Sequence, residues 1–160
     1  MKTDYELAGR QFTGLVSGET DRLAISANFV ALVDNLLEDI NWVGLYVLRG
    51  GELVLGPFQG LPACTHIPLG QGVCGTAAAN RQTQRVEDVH AFDGHIACDP
   101  ASKSELVVPL VSGNELLGVL DIDSPLPARF GTDDQAGVEA LCGLFVAALE
   151  RCRPAAAGFI

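Results

Sequence analysis

Basic residues are scarce in this sequence. Ten lysines and arginines stand against 20 aspartates and glutamates, a net charge of −10, and so acidic a chain repels phosphate backbones and anionic membrane surfaces at long range. Nucleic acid is therefore not an expected partner. Long hydrophobic runs are missing too. No apolar stretch approaches the roughly 20 residues that span a bilayer, and the opening MKTDYELAGRQF lacks the apolar core of a secretory signal. A soluble, cytoplasmic protein with no membrane partner is expected. No internal repeat or low-complexity linker interrupts the 160 residues, of which 48% are hydrophobic. That suffices for one good core and is short for two ordinary domains. A single domain over 1–160 is expected, with its core over about 20–152 and a tail at 153–160.

An even cysteine set is also lacking. Five cysteines in a cytoplasmic chain argue against a static disulfide framework, so any disulfide is expected to be a catalytic intermediate. The ligand spacings that close a structural zinc are absent, although Cys64-Thr65-His66 and His95-Ile96-Ala97-Cys98 set nitrogen beside sulfur. No metal is expected, and a histidine beside Cys98 could instead stabilise its thiolate.

The apolar pattern supplies the elements. A short helix is expected between about Asp4 and Val16, ended by Ser17-Gly18. From Thr20 to Asp39, Ile25, Phe29, Leu32, Val33, Leu36 and Ile40 recur at helical spacing, with Thr20 or Asp21 as cap. WVGLYVLRGGELVLGPF then alternates at period two around Gly50-Gly51, a hairpin of Trp42–Leu48 and Leu53–Phe58. A strand at Thr65–Leu69, a short helix at Gly72–Asn80 and a strand at Gln84–Val86 follow. His90–Ser102 is aperiodic, a long loop of the kind that carries function. Strands at Glu105–Val111 and Leu116–Asp123 flank Gly113-Asn114, and a last helix opens at Thr132 with Gln135 completing a capping box. Its stripe holds Val138, Leu141, Cys142, Phe145, Ala148, Leu149 and Cys152, and Pro154 ends it. This is an α+β domain: an antiparallel sheet with the N- and C-terminal helices on one face and room for a ligand pocket on the other.

Cys142 and Cys152 sit on that apolar stripe and read as small hydrophobes. Cys64, Cys74 and Cys98 lie in loops or at a helix start, where a thiol can be exposed and its thiolate stabilised, or can remain semi-buried and inert. The stretch holding Cys74, GQGVCG, matches the glycine-rich dinucleotide fingerprint, and Asp88 follows Gly70 by about the 20 positions that pattern uses. The preceding strands form an antiparallel hairpin rather than a βαβ unit, so the glycines are read as bringing backbone and Cys74 close to a pocket.

Alternation on the last two strands puts Leu106, Val108 and Leu110 on one face with Leu116, Gly118, Leu120 and Ile122. Glu105, Val107 and Pro109 share the other with Leu117, Val119, Asp121 and Asp123. Consistent faces require a three-residue loop or a bulge, which sets Glu105 opposite Asp123. Three carboxylates on one face read as a cation site, as a carboxyl kept protonated at neutral pH, or as a solvated acidic surface. On the first hairpin strand Gly44 stands between Trp42 and Tyr46, a slot for a small apolar group or ordinary aromatic packing.

The segments DINWVGLYVL, LVLGPFQG, ACTHIPLGQGVCGTA, VEDVHAFDGHIACD, SELVVPL and GVLDIDS closely resemble the GAF-domain family of free methionine-(R)-sulfoxide reductases, from about Thr20 to about Val146. The resemblance implies the fold just described, often as a homodimer. It also implies reduction of free L-methionine-(R)-sulfoxide without a bound cofactor, the electrons coming from thioredoxin or a similar dithiol. On this chain Cys98 matches the catalytic cysteine, Cys64 the resolving one and Cys74 a third cysteine able to join disulfide exchange. Glu105, Asp121 and Asp123 match acidic residues of the substrate site, and Trp42 and Tyr46 the aromatic wall around the substrate's methyl group. In that chemistry Cys98 attacks sulfur, Glu105 or Asp123 supplies a proton to oxygen, and the resulting sulfenic acid condenses with a second thiol. The alternative is a GAF module that senses redox state or a small ligand without turnover.

Overall fold

Eleven pieces of regular structure follow one another in the computed structural model, which describes residues 2–96 and 98–152. The tail at 153–160, with the expected helix stop at Pro154, lies outside the described residues. Two helices come first, α1 (Tyr5–Leu15) and α2 (Arg22–Leu36). The side chains of Asp4 and Asp21 cap them, each accepting a backbone N–H of the first turn at 2.9 Å. The strands β1 (Trp42–Arg49), β2 (Glu52–Gln59) and β3 (His66–Pro68) lead to α3 (Gly72–Asn80), then β4 (Gln84–Val86) and a single 3-10 turn at Val89–Ala91. The strands β5 (Ser104–Ser112) and β6 (Glu115–Ser124) and the long helix α4 (Thr132–Glu150) complete the chain.

All six strands join one antiparallel sheet in the order β3-β2-β1-β6-β5-β4. Alternation divides its two faces as expected. Val43, Leu45, Leu106, Val108, Leu120 and Ile122 pack beneath α1, α2 and α4, where Phe29 stacks on Phe145 at 4.4 Å and meets Phe12 edge-on at 5.2 Å. Ala8, Phe12 and Val16 of the first helix join this cluster as well. The opposite face is covered by α3 and the loops, over Trp42, Tyr46, Val107 and Val119.

Two local expectations are corrected. At the start of α4 the cap is Gly131, whose N–H donates to the Asp134 carboxylate at 2.9 Å, one residue earlier than the expected Thr132–Gln135 box. Gln135 instead accepts from the Arg85 guanidinium at 3.0 Å. In the last hairpin, Gly113-Asn114 is a two-residue turn pairing Ser112 with Glu115, and the register slips between Leu110↔Gly118 and Val111↔Leu116. The slip leaves Leu117 as the extra residue of a bulge. It restores Glu105 opposite Asp123, as the side-chain pattern required, and it exchanges the faces of the two leucines. Leu116 packs on the pocket side and Leu117 against the helices.

Immediately after the bulge, β6 presses against β1 so closely that a Cβ on Gly118 would collide with the Tyr46 carbonyl oxygen. Backbone cannot move aside as a side chain can. Gly118→Ala is expected to lower stability by about 3 kcal/mol in chemical denaturation; an unchanged midpoint would contradict this close approach.

Candidate active site

The face away from the large helices gathers the carboxylates that the sheet register dictates. Trp42 and Glu105 both pair with Asp123, and Gly44 and Val107 both pair with Asp121, so two neighbouring strands deliver their side chains around β6. Glu105 and Asp121 are each only 6% exposed. Above them α3 brings Cys74, also buried, whose thiol donates toward the Glu105 carboxylate at 3.9 Å. The ligand atoms of Cys74, Glu105 and Asp121 lie within 4.8 Å of one another, close enough to share a proton or to hold a cation.

Burial, and then the neighbouring Asp121 and Asp123, push the Glu105 carboxyl well above the usual carboxylate range. Burial raises Asp123 in the same way, with Asp121 and Asp99 adding to it, and burial raises Asp121. Burial also lifts the Cys74 thiol well above its ordinary value, reinforced by Asp121 and Glu105. Of the three readings open for the acidic face, a solvated surface is thus excluded, and the environment favours carboxyls that keep their protons to higher pH than usual. The sign for stability follows too. Carboxyls that hold their protons in the folded state and release them on unfolding make stability fall as pH rises from the ordinary carboxyl range toward the raised values. Glu105→Gln should flatten that decline in thermal melts taken across this window, and an unaltered slope would contradict a protonated Glu105.

The aromatic residues do two things. Gly44 leaves no open slot: the Trp42 ring fills the place a side chain there would take, stacked at 5.4 Å on Phe58 and at 5.9 Å on Tyr46. The polar tips of the pair then tie down the loop that carries Cys64. The Trp42 indole N–H donates to the Leu61 carbonyl at 3.0 Å, and the Tyr46 hydroxyl to the Cys64 carbonyl at 2.9 Å. That loop meets the long loop from the other side through a disulfide between Cys64 and Cys98, with Cα atoms 5.7 Å apart. Both cysteines are half-buried. Cys74 stays a free thiol beneath them, and Cys142 and Cys152 are buried in the helical core as expected.

A single pocket therefore contains Trp42, Tyr46, Cys74, Cys98, Glu105, Asp121 and Asp123, with Cys64 bonded to Cys98 at its mouth. In this disulfide-bonded form its enclosed space is about 40 Å3, room for a few water molecules rather than for an amino acid. Among the described residues the one cluster able to hold a metal is Cys74, Glu105 and Asp121, and no histidine belongs to it. His66 turns outward to pair with Glu52 at 2.9 Å, and His95 stands at the pocket rim beside His90. Burial and then His90 lower His95, which favours its neutral form. A histidine that stabilises the Cys98 thiolate would therefore do so less readily as a cation.

Three functional residues escaped the sequence. The Asn41 amide donates to the Asp99 carboxylate at 3.0 Å and to the Ser102 hydroxyl at 3.1 Å, clamping the loop just after Cys98 to the start of β1. Nothing in DINW or CDPAS marks this pairing, since it joins positions 58 and 61 residues apart.

The GAF domain family model matches residues 19–149. The chain is 55% identical over 147 residues to the free methionine-R-sulfoxide reductase of Escherichia coli K12, covering 92% of this chain and 87% of that protein. It superposes with a TM-score of 0.89 on the reduced form of fRMsr of Staphylococcus aureus, at 50% identity over 92% of this chain and 96% of that one. The corresponding values for free methionine-R-sulfoxide reductase from Neisseria meningitidis in complex with its substrate are 0.88, 40%, 94% and 93%. A pocket of buried carboxyls beneath a cysteine pair, on a sheet of this order and at these identities, places the chain in the GAF-domain family of free methionine-(R)-sulfoxide reductases.

Proposed function

We propose that this chain reduces free L-methionine-(R)-sulfoxide to L-methionine with its own thiols as the immediate reductant. The observation that carries the reading is the meeting, in one pocket, of the Cys64–Cys98 disulfide with the carboxyls of Glu105 and Asp123, both of which burial raises above the usual carboxylate range. The preference for the free R epimer comes from the relatives' names and not from the geometry.

The chemistry follows from the difficulty of the step. A sulfoxide oxygen leaves poorly, so attack on sulfur needs a thiolate and a proton delivered to oxygen. The Cys98 thiolate attacks the substrate sulfur and bonds to it; Glu105 or Asp123 protonates the oxygen; the hydroxyl then passes to the Cys98 sulfur as the S–O and S–S bonds to the substrate sulfur break, and methionine departs. The oxygen remains as the sulfenic acid of Cys98, which condenses with Cys64, forming the disulfide and releasing water. Cys74 is the reserve thiol, pushed well above its ordinary value by burial. Trp42 and Tyr46 form the wall against the methyl group, while Asp121, with Glu105 and Asp123, completes the polar side of the substrate site. A dithiol donor such as thioredoxin then attacks the half-buried disulfide, and exchange restores both thiols. No bound cofactor is required. A single domain over 1–160, cytoplasmic and assembled as a homodimer, is the setting proposed. No described helix is long and apolar enough to cross a membrane.

The test is consumption of the two sulfoxide epimers of free methionine by the protein with dithiothreitol. The R epimer alone should disappear. Folded, reduced protein that turns over neither epimer would transfer the assignment to a non-catalytic GAF sensor.

A further inference from the structure

The acidic character of the chain has one long gap. Between Glu52 and Arg81 there is no aspartate, glutamate, lysine or arginine. Much of this stretch is buried in the sheet and in α3, but the loop from β2 to β3 and the turn into α3 reach the surface. Leu61 is 64% exposed and Leu69 39%, and Pro62, Thr65 and Pro68 between them are exposed too. On a chain of net charge −10, an uncharged surface that shows two leucines to water is the kind a partner covers.

Cys64 lies in the middle of that surface, and its sulfur is bonded to Cys98. The loop of Cys98 differs in kind. Asp93 is exposed there, Asp99 is half-buried directly after Cys98, and Asn41 holds the Asp99 carboxylate in place at 3.0 Å. Beneath the disulfide, Glu105, Asp121 and Asp123 line an enclosed space of about 40 Å3, too small to admit a reductant from below. Attack on the disulfide therefore comes from outside, at one loop or the other.

Two physical terms choose between them. A thiolate that bonds to Cys64 arrives among uncharged residues, whereas one that bonds to Cys98 arrives beside Asp99 and Asp93, which repel it. The leaving sulfur favours the same direction. In the reductase reading Cys98 is the sulfur that must work as a thiolate, and the sulfur better suited to that form leaves a disulfide faster.

Resting on that reading, we propose that a thioredoxin-like dithiol protein docks on the uncharged surface around Leu61 and Leu69 and bonds to Cys64 rather than to Cys98. The partner's thiolate forms a new S–S bond to Cys64, the Cys64–Cys98 bond breaks, and Cys98 departs with the electron pair as a thiolate. The partner's second thiolate then attacks its own sulfur in the mixed disulfide and displaces Cys64, which takes up a proton. The partner is left oxidised by two electrons, and this chain has both thiols back. A partner whose reactive thiol stands in an apolar surface fits this face; charged groups there would find nothing to pair with.

The test uses the full chain in its disulfide form and a thioredoxin whose second active-site cysteine is serine, so that the mixed disulfide persists. After alkylation and peptide mass spectrometry, thioredoxin should be linked to Cys64 and the alkyl group should stand on Cys98. Thioredoxin linked to Cys98 instead overturns the proposal. Leu61→Asn tests the surface. Re-reduction by intact thioredoxin should slow about 10-fold, while dithiothreitol, too small to need the surface, should reduce variant and natural protein at one rate; a damaged fold would change both. A natural disulfide that thioredoxin fails to reduce, or equal thioredoxin rates for the two proteins, overturns the docking. So does a Leu61→Asn whose one effect, seen by sedimentation, is to split an oligomer, which would give the patch to a second copy of this chain. Sulfoxide turnover with dithiothreitol does not involve this surface, so its failure overturns the reductase reading alone.

Discussion

Replacing Cys98 with serine is expected to lower turnover of free L-methionine-(R)-sulfoxide by about 10³-fold or more. A serine hydroxyl at the same place is a far weaker nucleophile near neutral pH, because the thiolate and not the thiol or alcohol attacks sulfur. The pocket would remain, since Cys98 is half-buried and makes no contribution to the helical core, so substrate affinity should survive where turnover does not. The companion changes separate the other thiols. With Cys64→Ser the first methionine is still released, but the sulfenic acid lacks its nearest partner and recycling by a dithiol protein slows. Cys74→Ser leaves the Cys64–Cys98 pair intact and should cost little in steady-state turnover. Equal loss in all three variants would argue that the thiols serve the fold and not a sequence of chemical steps.

The second large effect concerns the proton. Glu105→Gln keeps the shape and the hydrogen-bonding capacity of a protonated carboxyl but cannot release a proton. If Glu105 is the donor to the departing oxygen, kcat should fall about 10²-fold or more with KM nearly unchanged. The environment supports this role: Glu105 is buried, faces Asp123 across the β5–β6 ladder and accepts from the Cys74 thiol. For the natural protein the rate should decline as pH rises through the raised carboxyl value, because the proton-donating form is lost. Glu105→Gln should lack that limb. A variant that loses affinity and keeps kcat would instead make Glu105 a substrate anchor and pass proton donation to Asp123.

Much of the fold was legible because period and burial coincide here. The alternation in WVGLYVL and LVVPL sets one face to the helices, and that requirement alone calls for a three-residue loop or a bulge in the last hairpin, of which the bulge is the one present. What alternation does not supply is the bulge's position, so the faces it predicts for Leu116 and Leu117 are the reverse of those observed. The capping box slipped for a similar reason, since Thr132 and Asp134 compete for the same turn and the carboxylate wins the Gly131 N–H. The slot at Gly44 depended on which way the Trp42 ring turns, a tertiary choice that a strand pattern does not encode. At the site, the acidic triad followed from register, whereas the pairing of Cys64 with Cys98 rested on the resemblance. The Asn41 clamp has no sequence signal, because it depends on contacts between segments far apart in the chain.

The most direct measurement is a single turnover of the fully reduced protein, mixed with less than one equivalent of free L-methionine-(R)-sulfoxide in the absence of any external reductant. The quenched samples would be read for methionine and for disulfide linkage by mass spectrometry. The account predicts that methionine appears in step with a Cys64–Cys98 disulfide, one for one, with Cys74, Cys142 and Cys152 still free. Methionine formed without any cysteine oxidation, or no methionine from folded and reduced protein, would contradict it.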